Sequence, residues 1–335
     1  MDWSESYIVN EKITEIAEKI IAGSLADRSE IEELFSLGES ELWDILYWAN
    51  KIRLKFFGKK INVCSIIPAR LGGCTEDCKF CAQSGKYNTS FKKVEHSSDE
   101  EILNAARAAK ENGVPHFGIV YSGKALSEAE LKRLEKLLPI IKNEIGIDVC
   151  GGFGIVNYQQ LMRLKKAGMS RYNHNLETSR NHFKNIVSTH DYESRIETVK
   201  AAKAAGLGLC VGGIFGIGET EADRIDMAFE LRQLGADMIP MNFLHPIAGT
   251  PLGDMPTMKP LEILRLIALF RFAIPKAGIK IAGGRVLNLR DTQSWAFYAG
   301  ATSLLSGNYL TTAGRAVEDD VRMLEDLGLE PNVMK

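Results

Sequence analysis

From residue 61 onward the chain alternates between short β-branched runs and longer amphipathic stretches, and no other feature constrains its fold as strongly. The runs are "INVCSII" (61–67), "HFGIVY" (116–121), "GIDVCG" (146–151), "RYNHNL" (171–176), "LGLCVGG" (207–213), "DMIPMNFL" (237–244), "IKIAGG" (279–284) and "ATSLLS" (301–306). Helical segments separate them, among them "SDEEILNAARAAKENG" and "LSEAELKRLEKLLPIIKN", opened by Ser98/Glu101 and Ser127/Glu130 at capping-box spacing. Strands each followed by a helix predict an α/β protein, a closed (β/α)8 TIM-type barrel with its chemistry at the carboxyl ends of the strands. A doubly wound open sheet is the competing topology. Ahead of this rhythm, residues 1–58 predict a helical extension. There "NEKITEIAEKIIAG" keeps apolar residues three and four apart, and "SEIEELF" offers a Ser29/Glu32 capping box. Residues 59–335 then hold the barrel and a C-terminal helical tail.

A chain of 335 residues, 45% hydrophobic and 25% charged, can bury one large core. Its 41 basic and 43 acidic side chains nearly cancel, and no basic block stands out, which excludes nucleic acid and a membrane surface as electrostatic partners and favours a small one. No stretch approaches about 18 consecutive apolar residues, and the first residues lack a basic region followed by an apolar run, so the chain reads as cytoplasmic. In that compartment the six cysteines call for metal ligation or packing rather than disulfides.

Three of the six lie within "GGCTEDCKFCAQS" (72–84), as Cys74, Cys78 and Cys81, directly after the first strand. Gly72 and Gly73 let the backbone turn off the strand end, placing the thiols on the barrel face where chemistry belongs. A structural zinc site closes with four protein ligands, and no fourth cysteine or histidine stands nearby. Three thiolates suit a 4Fe-4S cluster with one iron open to a small chelating molecule.

The C-x3-C-x2-C spacing with aromatic Phe80 before the last cysteine resembles the signature of the radical S-adenosylmethionine (SAM) enzymes. With "YNHNLETS" (172–179), "CVGGIFGIGET" (210–220), "AGGR" (282–285) and "GNYLTT" (307–312), in this order, the chain from the first strand to the C-terminus resembles the biotin synthase family. The resemblance implies that SAM binds the open iron and yields a 5′-deoxyadenosyl radical. It further implies that sulfur is inserted between two saturated carbons of dethiobiotin, with a second, auxiliary iron–sulfur cluster as donor. Neither carbon is acidic or electrophilic, so acid–base and nucleophilic catalysis have nothing to act on and cofactors must carry the step. The implied partners are a flavodoxin or ferredoxin as electron donor, the iron–sulfur assembly machinery and a second copy in a homodimer.

For the auxiliary cluster the resemblance implies Cys150, Cys210 and Arg285 as ligands, while the usual third cysteine is replaced by Gly118 in the second strand. Cys64, in the first strand, completes an alternative trio, and the cluster is then 2Fe-2S or larger. On its own residues, Cys64 suits a small buried hydrophobe as well as a ligand. The strand period of two puts Asn173, Asn175 and Glu177 on one face. The resemblance assigns Asn175 and Glu177 to the SAM ribose, Asn173, Asn175 and Asn242 to the ureido ring, and Arg195 to the SAM carboxylate. Without it, Arg195 reads as an exposed helix charge, and the asparagines read as loop caps. His174 alternates outward as a structural hydrogen-bonding group, and His116 and His245 suit plain strand ends. "GIFGIGET" lacks the Lys-Ser/Thr of a phosphate loop, so its glycines mark close backbone approach. Two other functions stay open: a radical SAM barrel of the hydrogenase-maturation or menaquinone-pathway type that inserts no sulfur, and a non-catalytic zinc protein.

Overall fold

The computed structural model describes residues 10–332 except Lys92, Asn308 and Ala313, so residues 1–9 of the helical extension and Asn308 of "GNYLTT" lie outside the described residues. Helices α1 (Glu11–Ile21), α2 (Arg28–Ser36) and α3 (Leu42–Phe57) come first. There follow β1 (Lys60–Arg70), α4 (Asp99–Glu111), β2 (His116–Tyr121), α5 (Glu128–Pro139), β3 (Asp148–Gly152), α6 (Tyr158–Lys166) and β4 (Arg171–Asn173). The second half runs α7 (Arg180–Ile186), α8 (Tyr192–Ala204), β5 (Gly208–Cys210), β6 (Gly213–Phe215), α9 (Glu221–Leu234), β7 (Met238–Phe243) and α10 (Pro260–Ala273). It ends with β8 (Gly278–Ile281), α11 (Arg285–Leu289), α12 (Trp295–Tyr298), β9 (Ser303–Leu305), α13 (Val317–Asp326) and β10 (Glu330–Asn332).

All pairings among these strands are parallel, and β1 pairs both β2 and β9, which closes the sheet into the expected (β/α)8 barrel. Closure leaves no open barrel edge. The open-sheet alternative is thereby overturned. The run at 207–213 holds β5 and only the first residue of β6, and between them the backbone at Gly212 passes so close to β7 that an added Cβ would meet the Pro240 carbonyl oxygen at 2.0 Å. The run at 171–176 leaves the ladder after Asn173, although the amides of His174 and Leu176 still donate to the Cys210 and Gly212 carbonyls.

Capping follows local chemistry at α4 and α5, where Ser98/Glu101 and Ser127/Glu130 form reciprocal boxes. At α2 the expected Ser29/Glu32 box is wrong: Asp27 caps the helix and pairs with Glu30. Starting at Arg28 sets Ile31, Leu34 and Phe35 into the core, while Ser29 is left to bond the capping carboxylate. Helices α1–α3 share one continuous apolar core with the barrel; α2 and α3 pack on α10, and α1 packs on α3. The C-terminal tail holds α13 and then adds β10, a short strand on β1 that the sequence reading did not include. No helix among the described residues is long and apolar enough to cross a membrane.

Candidate active site

At the end of β1, Gly72 (φ +88°) and Gly73 (φ +65°) occupy the left-handed region, which favours glycine. They turn the chain into the cysteine loop. The loop is closed by backbone bonds from Cys74 to Gln83 (3.0 Å) and from Gly85 to Cys74 (2.7 Å). Cys74, Cys78 and Cys81 line one cleft with Phe80, Asn175, Glu177 and Arg195, so the folding chain gathers all the residues expected around SAM. Burial pushes the Cys81 thiol up to about 11 and raises Cys78 further still, so bare thiols stay protonated there; an iron–sulfur cluster takes them as thiolates. All six cysteines are free of disulfides.

Arg195, on α8, is buried rather than exposed. Its Nη1 donates to the Asn175 carbonyl (2.7 Å) and to the Glu177 carboxylate (3.3 Å), while Nη2 meets no hydrogen-bond partner among the described residues. Among the described residues Glu177 is one of two non-glycine residues with positive φ (+70°), an uncommon backbone for a side chain of this kind, held by the bond from the Ile214 amide to its carbonyl. Burial raises its carboxyl and Arg195 draws it back down.

Deeper in the barrel, Cys64, Cys150 and Cys210 line a second cavity, together with Ile66, Asn173, Asn175 and Lys280. The alternative trio thus faces one space. Gly118 lies beside Cys150 in register and fronts the same cavity, and a Cβ added there would meet Ile66 Cγ2 at 2.8 Å. Ile66 therefore fills the room that a cysteine at 118 would need. The neighbouring Cys210 thiol, then burial, raises Cys150, whereas Cys210 is lowered, first by Cys150 and then by the Lys280 ammonium.

Arg285 is not in this cavity, which corrects the expectation that it ligates there. It opens α11 after the left-handed Gly284, which sends its side chain away, and its nitrogens go to Tyr309 Oη (2.9 Å), Gln293 and the buried Asp320. The cations that do line the cavity are Arg171 and Lys280, the latter with Nζ 3.9 Å from Cys210 Sγ. Burial alone would lower the Lys280 ammonium, but the sulfurs of Cys210, Cys64 and Cys150 outweigh it and hold it charged. The missed signal was a lysine in the middle of the wholly buried strand "GIKI".

The asparagines sit between the two spaces. Asn175 lines the cysteine-loop cleft, the inner cavity and the barrel mouth, and its Oδ1 is buried with no hydrogen-bond partner among the described residues. Asn173 Nδ2 donates to the Cys210 carbonyl and lies 3.3 Å from its sulfur. Asn242 Nδ2 donates to the Gly213 carbonyl (3.0 Å) and its Oδ1 accepts from the Gly283 amide (2.9 Å), which leaves one donor and one acceptor for a ligand. His174 stacks on Tyr172, and its buried Nε2 has no hydrogen-bond partner among the described residues. Burial keeps it neutral. His116 lines the inner cavity and His245 the mouth.

Residues 70–231 match the family model described as the radical SAM superfamily, and residues 240–330 match the Biotin and Thiamin Synthesis associated domain. The chain is 45% identical to the biotin synthase of Heliobacterium modesticaldum over 93% of its own length and 96% of the relative's. To that of Clostridium tetani it is also 45% identical, over 96% and 99%. Among solved structures, methylornithine synthase superposes with a TM-score of 0.82 at 21% identity, covering 94% of this chain and 97% of that one. The FeFe-hydrogenase maturase HydG of Carboxydothermus hydrogenoformans superposes at 0.81 and 20% identity, covering 96% and 79%. At those identities the structures speak for the barrel alone.

Proposed function

The chain belongs to the biotin synthase family of radical SAM enzymes, and on that premise we propose that it converts dethiobiotin to biotin between its cysteine loop and its inner cysteine cavity. The observation that carries this placement is Asn175. A buried amide oxygen without a partner costs free energy, and this one faces the space common to the loop cleft, the inner cavity and the mouth. A ureido ring there would supply the missing donor. When bound, the loop cluster and SAM supply the radical that removes hydrogen from unactivated carbon, and the auxiliary cluster supplies the sulfur.

This chain's own residues bind and orient. Cys74, Cys78 and Cys81 hold the 4Fe-4S cluster, and the free Nη2 of Arg195 donates to the SAM carboxylate. Asn175 and Glu177 take the ribose, with Phe80 alongside. Asn173, Asn175 and Asn242 offer the ureido ring donors and acceptors in fixed positions, which holds the reacting carbons still. Cys64, Cys150 and Cys210 hold the auxiliary cluster, with Lys280 as the neighbouring cation. A flavodoxin or ferredoxin delivers electrons, the iron–sulfur assembly machinery rebuilds the auxiliary cluster, and the protein works as a cytoplasmic homodimer.

The deciding experiment is an anaerobic reaction of the reconstituted protein with dethiobiotin, SAM and a reductant, assayed for biotin and 5′-deoxyadenosine. Both products are expected. Deoxyadenosine without biotin would defeat the reading in favour of a relative that inserts no sulfur. The auxiliary ligands are tested by Cys64→Ala, Cys150→Ala and Cys210→Ala, each expected to lose iron and sulfide; wild-type content in all three would rule the trio out.

A further inference from the structure

One buried contact chain joins the cysteine loop to the arginine of the cleft, and none of the roles given above uses its middle member. Glu76 stands between Cys74 and Cys78 and is buried. Its Oε2 lies 2.6 Å from His190 Nδ1, and His190 Nε2 lies 3.1 Å from Arg195 Nε. The chemistry fixes the direction of both bonds. A guanidinium can only donate, so Nε2 accepts from Arg195 and the ring proton sits on Nδ1, donated to the Glu76 carboxylate. Both ring nitrogens are thereby used, and the imidazole is 4% exposed. Phe183 supports the pair, with its ring 5.6 Å from the His190 ring and 5.6 Å from Arg195 Cζ.

The surroundings tighten the connection. The Asp77 carboxylate accepts from the amides of Ser188 (2.9 Å) and Thr189 (3.2 Å), and the Lys79 amide donates to the Ile186 carbonyl (3.0 Å). The segment carrying His190 is therefore stitched to the same loop that carries the three thiols. On the far side of Arg195, Nη1 is taken by Asn175 and Glu177, so with Nε held by His190 only the Nη2 edge faces the cleft.

We propose that His190 is a positioning residue for SAM: held by Glu76 of the cysteine loop, it fixes the angle of the Arg195 guanidinium, so that a correctly seated cluster loop presets the carboxylate clamp. The inference rests on Arg195 being that clamp. Preset donors raise affinity by removing the cost of ordering them on binding.

The test measures SAM affinity by equilibrium dialysis on the anaerobically reconstituted full chain, with iron content determined on each sample. His190→Ala is expected to weaken SAM binding about tenfold with loop iron retained, and His190→Gln, which can still donate and accept, to recover to within about threefold of wild type. Combined with Arg195→Ala, the histidine substitution should add almost nothing further, since the two act through one contact. Unchanged affinity in His190→Ala while Arg195→Ala loses it would overturn this inference and leave the clamp standing. Unchanged affinity in Arg195→Ala would overturn the clamp and the inference together. Loss of loop iron in both His190 variants would also overturn it, making the histidine a structural part of the loop.

Discussion

Lys280 is buried among three sulfurs, and its charge has no carboxylate within hydrogen-bonding reach among the described residues. An ammonium in that setting is stabilised by the negative charge of thiolates or of a cluster they hold, and breaking such a buried pairing costs about 3–5 kcal/mol. Lys280→Met keeps the volume and removes the charge. After anaerobic reconstitution its iron and sulfide are expected to fall to the amount held by the cysteine loop alone, with SAM affinity unchanged, while Lys280→Arg keeps both. Full iron and sulfide in Lys280→Met would show that the cation takes no part. Gly118 gives a second expectation at this scale. A cysteine placed there runs into Ile66 Cγ2, so Gly118→Cys alone should add no iron ligand and should lower stability by about 1–3 kcal/mol, the usual range for overpacking. Ile66→Ala in the same chain should relieve part of that loss, read as a rise in Tm.

At the scale of elements, what the sequence made legible is what depends on near neighbours. Ser98/Glu101 and Ser127/Glu130 could be read because a capping box is complete within four residues. Ser98→Ala should therefore cost about 1 kcal/mol, the usual worth of an N-cap, seen as a small fall in Tm with SAM affinity unchanged, because α4 contributes nothing to the cleft. A fall in SAM affinity would mean that α4 is coupled to the site. The box at α2 was misread because Asp27/Glu30 and Ser29/Glu32 overlap, and only the burial of Ile31, Leu34 and Phe35 chooses between them. The site divides along the same line. The cysteine loop and the alternation Asn173, Asn175, Glu177 are local patterns and were readable. Arg285 was misplaced and Lys280 overlooked because "IKIAGGR" offers two cations five residues apart, and the end of β8 followed by the left-handed Gly284 decides which one faces inward. Glu76 and His190 were invisible for a different reason: they are 114 residues apart and meet only when the loop after β1 closes on the segment before α8.

At the scale of the whole molecule, α10 shows why the N-terminal helices are part of the structure rather than an appendage. Ten of its residues are buried, which leaves it without a polar face to present to water. One side rests on the barrel, and the other is covered by α2 and α3, with α1 packed on α3; Ile13, Ile16, Ile45, Ala49 and Ile52 are all buried in the same core. Polar ties cross the same boundary: Arg265 donates to the Phe35 carbonyl (2.6 Å), Arg232 to the Ala26 carbonyl (2.7 Å), and the wholly buried Arg271 lies 4.8 Å from the Phe57 ring centre. Removing residues 1–58 would uncover several aliphatic side chains, each worth about 1.5–3 kcal/mol when buried. The sum matches or exceeds the whole net stability of an ordinary domain, about 5–15 kcal/mol. The truncated chain is therefore expected to aggregate on expression, even though every residue proposed to bind SAM, dethiobiotin or a cluster lies beyond position 58. A soluble truncated protein with the full-length Tm and undiminished SAM cleavage would show instead that the barrel buries α10 unaided.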